Sequence, residues 1–243
     1  MTAPTTLKAP SPTSPVFAVP VWPVPTVPVA GEASVFPVRR IYCVGRNYAA
    51  HAREMGADPT REDPFFFAKP ADAIVADGAA LSYPPATKNL HHEFELVVAL
   101  KSGGAAVPVE KALGLVYGYA AGLDMTRRDL QNAAKAAGKP WDMGKGFDRS
   151  APCSAIVPAS RIGHPAKGLI QLKVNGTVKQ KGDLADLIWN VAETISFLSG
   201  LVELAAGDLI YTGTPDGVGP VQAGDLLEGH IEGVADLKVR YAR

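Results

Sequence analysis

Cysteine is scarce in this sequence. The chain has two, Cys43 and Cys153, and no CxxC spacing. That excludes a disulfide framework and a cysteine-built zinc site, and leaves both thiols as small core residues of a reducing compartment. Excess charge is also missing. Lys plus Arg number 24 and Asp plus Glu number 24, with a pI near 7.0. A nucleic acid or an acidic membrane surface selects a basic face, so no partner of either kind is expected. No apolar run reaches the roughly 18 residues of a membrane span. The first residues lack a basic start followed by an uninterrupted apolar stretch, so no secretory signal is read and the cytoplasm is the expected location. The GxxxxGK[ST] spacing of a nucleotide P-loop is absent.

What is present is a chain of 243 residues, 47% apolar, long enough to bury a substantial core. One segment is biased. Residues 1–37 hold nine of the 21 prolines. Proline fixes φ and removes a donor, so this stretch reads as extended chain. Residues 1–15 are expected to be a disordered tail. From about 16 to 37, Phe17, Val19, Val21, Trp22, Val24, Val27 and Val29 interleave with the prolines, which predicts a segment packed along the body. Residues 38–243 are read as one catalytic domain.

Strand and turn signals dominate that domain. Strands are expected at Arg39–Val44, Leu90–Leu100, Leu115–Leu123, Asp208–Thr212 and Ala235–Tyr241. Leu169–Gln180 reads as a hairpin turning at Asn175-Gly176. Helices are expected at Asn47–Met55, ended by Gly56, at about 126–137, and within 184–199, where Ile188, Val191, Ile195 and Leu198 share helical spacing. No repeat is found and βα alternation is irregular. The reading is a mixed, mostly β fold with a few short helices.

His91–Leu100 is the most informative segment. Alternation along a strand puts Phe94, Leu96, Val98 and Leu100 on one face and Glu93, Glu95, Val97 and Ala99 on the other. Both faces are largely apolar, so the strand is expected to be covered on both sides. Two buried carboxylates on one face repel and need a cation, and a hard divalent ion with oxygen ligands fits. The plain alternative is a wet strand end. Asp124 closes the next apolar strand. It precedes a helix that Thr126 can cap, with Asp129 three residues on as a capping-box variant, and it either carries chemistry with the two Glu, as strand ends often do, or merely caps that helix. Arg128 and Gln131, three apart on that helix, can point at one ligand, or simply face solvent.

His51 and Glu54 stand three apart on the short helix, where a carboxylate can fix the imidazole tautomer for water activation. A surface pair without function is the alternative. Lys145 sits in the Gly-flanked Trp141–Asp148 stretch, read as a tight loop near a ligand or as an ordinary surface lysine. Thr212–Pro220 is rich in turn formers. It offers backbone N–H groups and the Thr214 hydroxyl to an anion, or is a plain hairpin turn.

In this order the segments Gly45–Tyr48, Glu93-x-Glu95, Asp124 and Thr212–Gly219 resemble the fumarylacetoacetate hydrolase family over about residues 36–243. Arg40–Tyr48, Phe65–Asp72 and Gly122–Gln131 are similar to one branch, the fumarylpyruvate hydrolases of gentisate degradation and the acylpyruvases near them. The resemblance implies the family's β-roll, a homodimer, and Mg²⁺ or Mn²⁺ held by Glu93, Glu95 and Asp124. It implies water activation by His51 and Glu54 on a lid, and substrate contacts from Arg128, Gln131, Lys145 and Thr214, with Lys145 sharing enolate charge. Arg46 is a further candidate substrate contact. The implied substrate is a small diketo acid, cleaved at a carbon–carbon bond. A fumaryl group brings a second carboxylate, for which Arg46, Arg127 and Lys69 are open candidates. Oxaloacetate decarboxylation or hydroxy-dienedioate isomerisation could use the same metal–enolate site. A non-enzymatic binder docking through its Pro-rich tail is a rival from another class.

Overall fold

The computed structural model describes residues 17–54 and 62–242, except the side chain of Ala52. The expected tail at 1–15 and the expected helix stop at Met55 and Gly56 lie outside these residues.

The fold is mixed and mostly β. Its main sheet runs, edge to edge, through Phe65–Lys69, Arg40–Gly45, Asp208–Tyr211, Phe94–Leu100, Val116–Leu123, Ala151–Cys153 and Ile74–Ala76. Val157–Pro158 also pairs with Val116–Leu123. A five-stranded sheet orders Thr177–Asp183, Leu169–Val174, Leu226–Ile231, Ala235–Tyr241 and Ala80–Leu81. A small sheet joins Thr126–Arg127, Leu90–His92 and Gly219–Val221. In the hairpin of the five-stranded sheet, Asn175 and Gly176 take φ of 50° and 78°, the left-handed values that a two-residue type I′ turn requires.

Phe94–Leu100 lies inside the main sheet and is covered on both faces. Phe94, Leu96, Val98 and Leu100 enter one apolar cluster with Tyr119, Ile195, Leu198 and Ile210. Val97 and Ala99 enter another with Ile41, Cys43, Leu209 and Tyr211. The second face is closed by the hairpin of Thr26–Pro28 and Val35–Pro37, which buries Val27, Val29 and Phe36 there. Burying such side chains stabilises by roughly 1.5–3 kcal/mol each, as an upper figure. The stretch before it behaves differently: Phe17, Val19, Val21, Trp22 and Val24 are exposed. In the segment expected to lie along the body, packing therefore begins near Thr26.

Several elements differ from expectation, each for a local reason. The Leu90–Leu100 strand is two strands, parted at Glu93. Leu90–His92 belongs to the small sheet and Phe94–Leu100 to the main one. At the break, Phe94 N–H donates to the side chain of Gln180 rather than to a strand partner. The helix expected from 126 begins at Arg128, without a side-chain cap. Thr126 is in a strand and its hydroxyl donates to Asp124 O at 3.2 Å, while Asp129 accepts from Thr87 Oγ1 and Lys88 N. The capping box read at Thr126 and Asp129 is thus wrong, because Asp124 O and Lys145 claim the Thr126 hydroxyl and the Thr87–Lys88 loop claims the Asp129 carboxylate. Within 184–199 the chain forms a 3₁₀ turn, Leu184–Asp186, and then a helix, Val191–Leu201. A capping box between Asn190 and Glu193 starts that helix. Gly200 lies within it. Lys145 ends a short helix, Asp142–Lys145, rather than sitting on a loop. The first helix spans Ala49–Glu54.

Candidate active site

Glu93, Glu95 and Asp124 are brought together at the end of the main sheet. Each offers an oxygen, and these atoms lie within 4.8 Å of one another. The backbone sets the spacing. Glu93 occupies the joint between two strands, Glu95 lies two residues on, and Asp124 follows the neighbouring strand. Asp124 N–H donates to Glu93 O at 2.8 Å, and Glu95 pairs with Gly122 in the ladder. All three side chains are buried.

Cations surround the cluster. Lys145 Nζ donates to Glu93 Oε2 at 2.8 Å, to Asp124 Oδ2 at 2.7 Å and to Thr126 Oγ1 at 2.7 Å. Arg128 pairs with Glu93 Oε1 through Nη2 and donates to Gln131 Oε1 at 2.5 Å through Nη1. Burial opposes ionisation of Glu93, yet Lys145 and Arg128 outweigh it and hold the carboxyl below the ordinary range. Burial likewise opposes the charge on Lys145, and Asp124 and Glu93 reverse the sign, so its pKa is raised. Glu95 has no such relief. Burial first, then the like charges of Asp124 and Glu93, push its pKa well above the usual value, and the N–H of Gly213 at 2.8 Å offsets this only in part.

These residues fit a hard divalent ion. The donors are all carboxylate oxygens. Glu95 is buried beside two other carboxylates. Asp124 Oδ1 lies 2.8 Å from Lys69 Nζ but receives no aligned hydrogen bond.

The other predicted residues gather at one pocket. Arg46, His51, Arg128, Gln131, Lys145 and Thr214 line it together with Glu93 and Glu95. His51 Nδ1 lies 3.1 Å from Glu54 Oε2, and Glu54 also accepts the N–H of Gly217 at 3.2 Å. With Nδ1–H donating to Glu54, Nε2 is left as the basic nitrogen. The Thr212–Pro220 turn is occupied differently from the expectation of a free anion cradle. Gly213 N–H serves Glu95, Gly217 N–H serves Glu54, and Thr214 Oγ1 donates to Phe94 O at 2.9 Å.

Some residues gave little sequence signal. Lys69 is buried and donates to Met125 O and to Lys145 O, beside Asp124. Gln180, in the other sheet, holds the Glu93 joint against the Thr214 turn. Its Oε1 accepts from Phe94 N at 3.0 Å and faces His92 Nδ1 at 3.1 Å, and its Nε2 donates to Thr214 Oγ1 at 2.7 Å and Pro215 O at 2.9 Å. His91 faces Arg128 Nε at 3.4 Å, its pKa pushed down to about 4 by burial and then by Arg128. Lys135 reaches the pocket, and the spacing that joined Arg128 to Gln131 could have found it.

The description "Fumarylacetoacetate (FAA) hydrolase C-terminal" covers residues 40–241 as a family match. The chain belongs to the fumarylacetoacetate hydrolase family. Among family relatives it is 48% identical to a fumarylpyruvate hydrolase of Ralstonia sp., over 75% of this chain and 94% of that protein. It is 44% identical to a mitochondrial oxaloacetate tautomerase of Homo sapiens, over 82% of this chain and 90% of the other. A crystal structure of fumarylpyruvate hydrolase from Pseudomonas aeruginosa, in complex with Mn²⁺ and pyruvate, superposes with a TM-score of 0.91. The two are 52% identical, over 93% of this chain and 99% of that one. The mostly β architecture is thus the family's own. Among the described residues, no helix is long and apolar enough to cross a membrane.

Proposed function

We propose that the chain is a metal-dependent hydrolase that cleaves a carbon–carbon bond of a 1,3-diketo acid, fumarylpyruvate, to fumarate and pyruvate. The observation that carries this is one pocket lined by His51, Glu93 and Glu95, with Asp124 beside them. It pairs a water-activating base with an enolate-stabilising centre. The relatives named fumarylpyruvate hydrolase supply the substrate.

Glu93, Glu95 and Asp124 would hold a divalent ion, Mg²⁺ or Mn²⁺, which would supply positive charge for a pyruvate enolate. His51 takes a proton from water at Nε2, with Nδ1–H directed at Glu54. Water's oxygen adds to the ketone distal to the pyruvoyl end. The carbon–carbon bond then breaks, its electron pair passing to the pyruvate half as the enolate. Protonation of that carbon gives pyruvate, and the acyl half leaves as a carboxylate. Lys145, between Glu93 and Asp124, stands to share the enolate's charge. Arg128 fixes the Glu93 carboxylate and the Gln131 amide. Thr214, Gln131 and Arg46 bound the substrate space.

The test is direct. Purified protein with Mn²⁺ should bleach the ultraviolet band of fumarylpyruvate and release fumarate and pyruvate in equal amounts; no bleaching overturns the substrate. A second reading, enolate chemistry on oxaloacetate, is favoured by the tautomerase relatives, and needs the ion but no activated water. A homodimer, which the family resemblance implies, is part of the same reading, and light scattering on the purified chain would check it.

A further inference from the structure

A diacid substrate brings a second carboxylate into the pocket, and most nearby cations cannot serve it. All three donors of Lys145 are engaged, by Glu93, Asp124 and Thr126. Arg128 donates to His91, Gln131 and Glu93 and is buried beside the carboxylate cluster, at the metal end of the pocket. Lys69 is buried against Asp124, Met125 and Lys145. Arg127 does not line the pocket; its guanidinium lies 4.3 Å from the Phe147 ring centroid.

Two lining cations remain, Arg46 and Lys135. Neither side chain has a hydrogen-bond or ion-pair partner among the described residues. Lys135 lies seven residues beyond Arg128 on the Arg128–Ala136 helix, so it shares the face of Arg128 and Gln131. Two turns place it roughly 10 Å further along the axis, a span comparable with an extended dicarboxylate of this kind. It is exposed, at the mouth, while Arg128 is buried beside the carboxylate cluster. Arg46 has φ of 57° and its guanidinium lies over the Phe65 ring at 5.5 Å. A glycine would adopt that backbone without strain, so a bulky side chain there needs another reason. Contact with ligand at the pocket wall supplies one.

We infer that Lys135 and Arg46 together seat the distal carboxylate of the acyl group, and so make the enzyme select anionic over uncharged acyl chains. This rests on the hydrolase reading above. Its physical basis is charge-assisted hydrogen bonding to one carboxylate from two cations that have no anionic partner among the described residues.

The experiment compares fumarylpyruvate with acetylpyruvate, whose acyl end is an uncharged methyl, using the full chain with Mn²⁺. The ratio of their kcat/KM values measures the seat. In Lys135→Met and in Arg46→Gln this ratio should fall about ten-fold, the scale of one charged hydrogen bond, with the change carried by the KM for fumarylpyruvate. Lys135→Arg should restore much of it. Fumarate should also bind Lys135→Met about ten-fold more weakly by calorimetry. An unchanged ratio in both variants of an active enzyme overturns the seat and leaves the hydrolase reading standing. A wild-type enzyme that cleaves neither compound overturns that reading, and the seat with it.

Discussion

Lys145 Nζ lies 2.7 Å from Asp124 Oδ2, within the same cluster of carboxylates that is suited to a divalent ion. An ammonium and a dication that share ligands compete electrostatically, although chemistry on an enolate gains from both. Lys145→Met should therefore lower kcat by about 10²-fold or more, while Mn²⁺ binds at least as tightly as in the wild type. Calorimetric titration of Mn²⁺ beside steady-state kinetics checks it. Metal affinity falling in step with activity would show that Lys145 serves only to build the site.

Metal binding should also be visible as stability. Ligand at a hundred times its Kd stabilises by about 2.7 kcal/mol. In a chain of this size that moves Tm by roughly 5–10 °C. Added Mn²⁺ should raise Tm by that amount, and chelation should reverse it. Glu95→Gln should abolish the shift, since it removes an anionic ligand from the trio. A full shift in the variant, followed by differential scanning calorimetry, would remove Glu95 from the ligand set.

His51→Ala separates the two readings of the pocket. Loss of a general base costs about 10²–10⁴-fold. Fumarylpyruvate cleavage should fall by that factor, whereas keto–enol exchange or decarboxylation of oxaloacetate, which needs no activated water, should change far less. Glu54→Gln should be the milder variant, because it leaves the imidazole in place. Equal losses on both substrates would place His51 outside water activation.

Cys153 offers a pH prediction remote from the chemistry. Burial pushes its thiol up to about 12, against about 8.5 for a free cysteine. A raised acid pKa means that the folded state favours the neutral thiol. The associated stability is full below the unfolded value and is lost as pH rises from about 8.5 towards 12. Native protein at pH 8 should leave Cys153 unreactive towards a disulfide reagent, and denaturant should expose it. Rapid labelling of the native chain would contradict the burial.

Gln180→Leu should cost about 2–4 kcal/mol, because the N–H of Phe94 and the carbonyl of Pro215 each lose a buried partner. Denaturant unfolding measures it. Activity should drop as well, since the same side chain holds Thr214.

The contrast between Gln180 and Glu95 marks how far the sequence could be read. Glu95 was legible because strand alternation repeats every second residue, so one local pattern fixed its face and its neighbours. The two covered faces of Phe94–Leu100 were legible for the same reason, and the Asn175-Gly176 turn was legible because an Asn-Gly pair readily takes the positive φ of a type I′ turn. Gln180 stands in an exposed, charged strand, and its four contacts are to residues 34 or more positions away. No local spacing encodes such a partner. The break at Glu93 was invisible for a related cause. Leu90–Leu100 has unbroken strand character, and only the side chain of Gln180 and the N–H of Asp124 part it. Thr126 shows the opposite error: its cap-like sequence is local, but a strand partner and Lys145 claim it instead.

One of the three acidic groups stands at the joint between sheets, one lies two residues on, and the third follows a neighbouring strand, so strand pairing sets their spacing and Gln180 and Lys145 brace it. Lys135, Gln131 and Arg46 sit on a helix and a turn beside that frame. On the proposed assignment, the residues that would read the acyl chain stand apart from the three carboxylates that would hold the ion. Hydrolases and tautomerases built on one such frame are what that separation of duties would permit, and exchanging Gln131 and Lys135 between relatives, with Arg128 kept on Glu93, becomes a rational route to new substrate ranges.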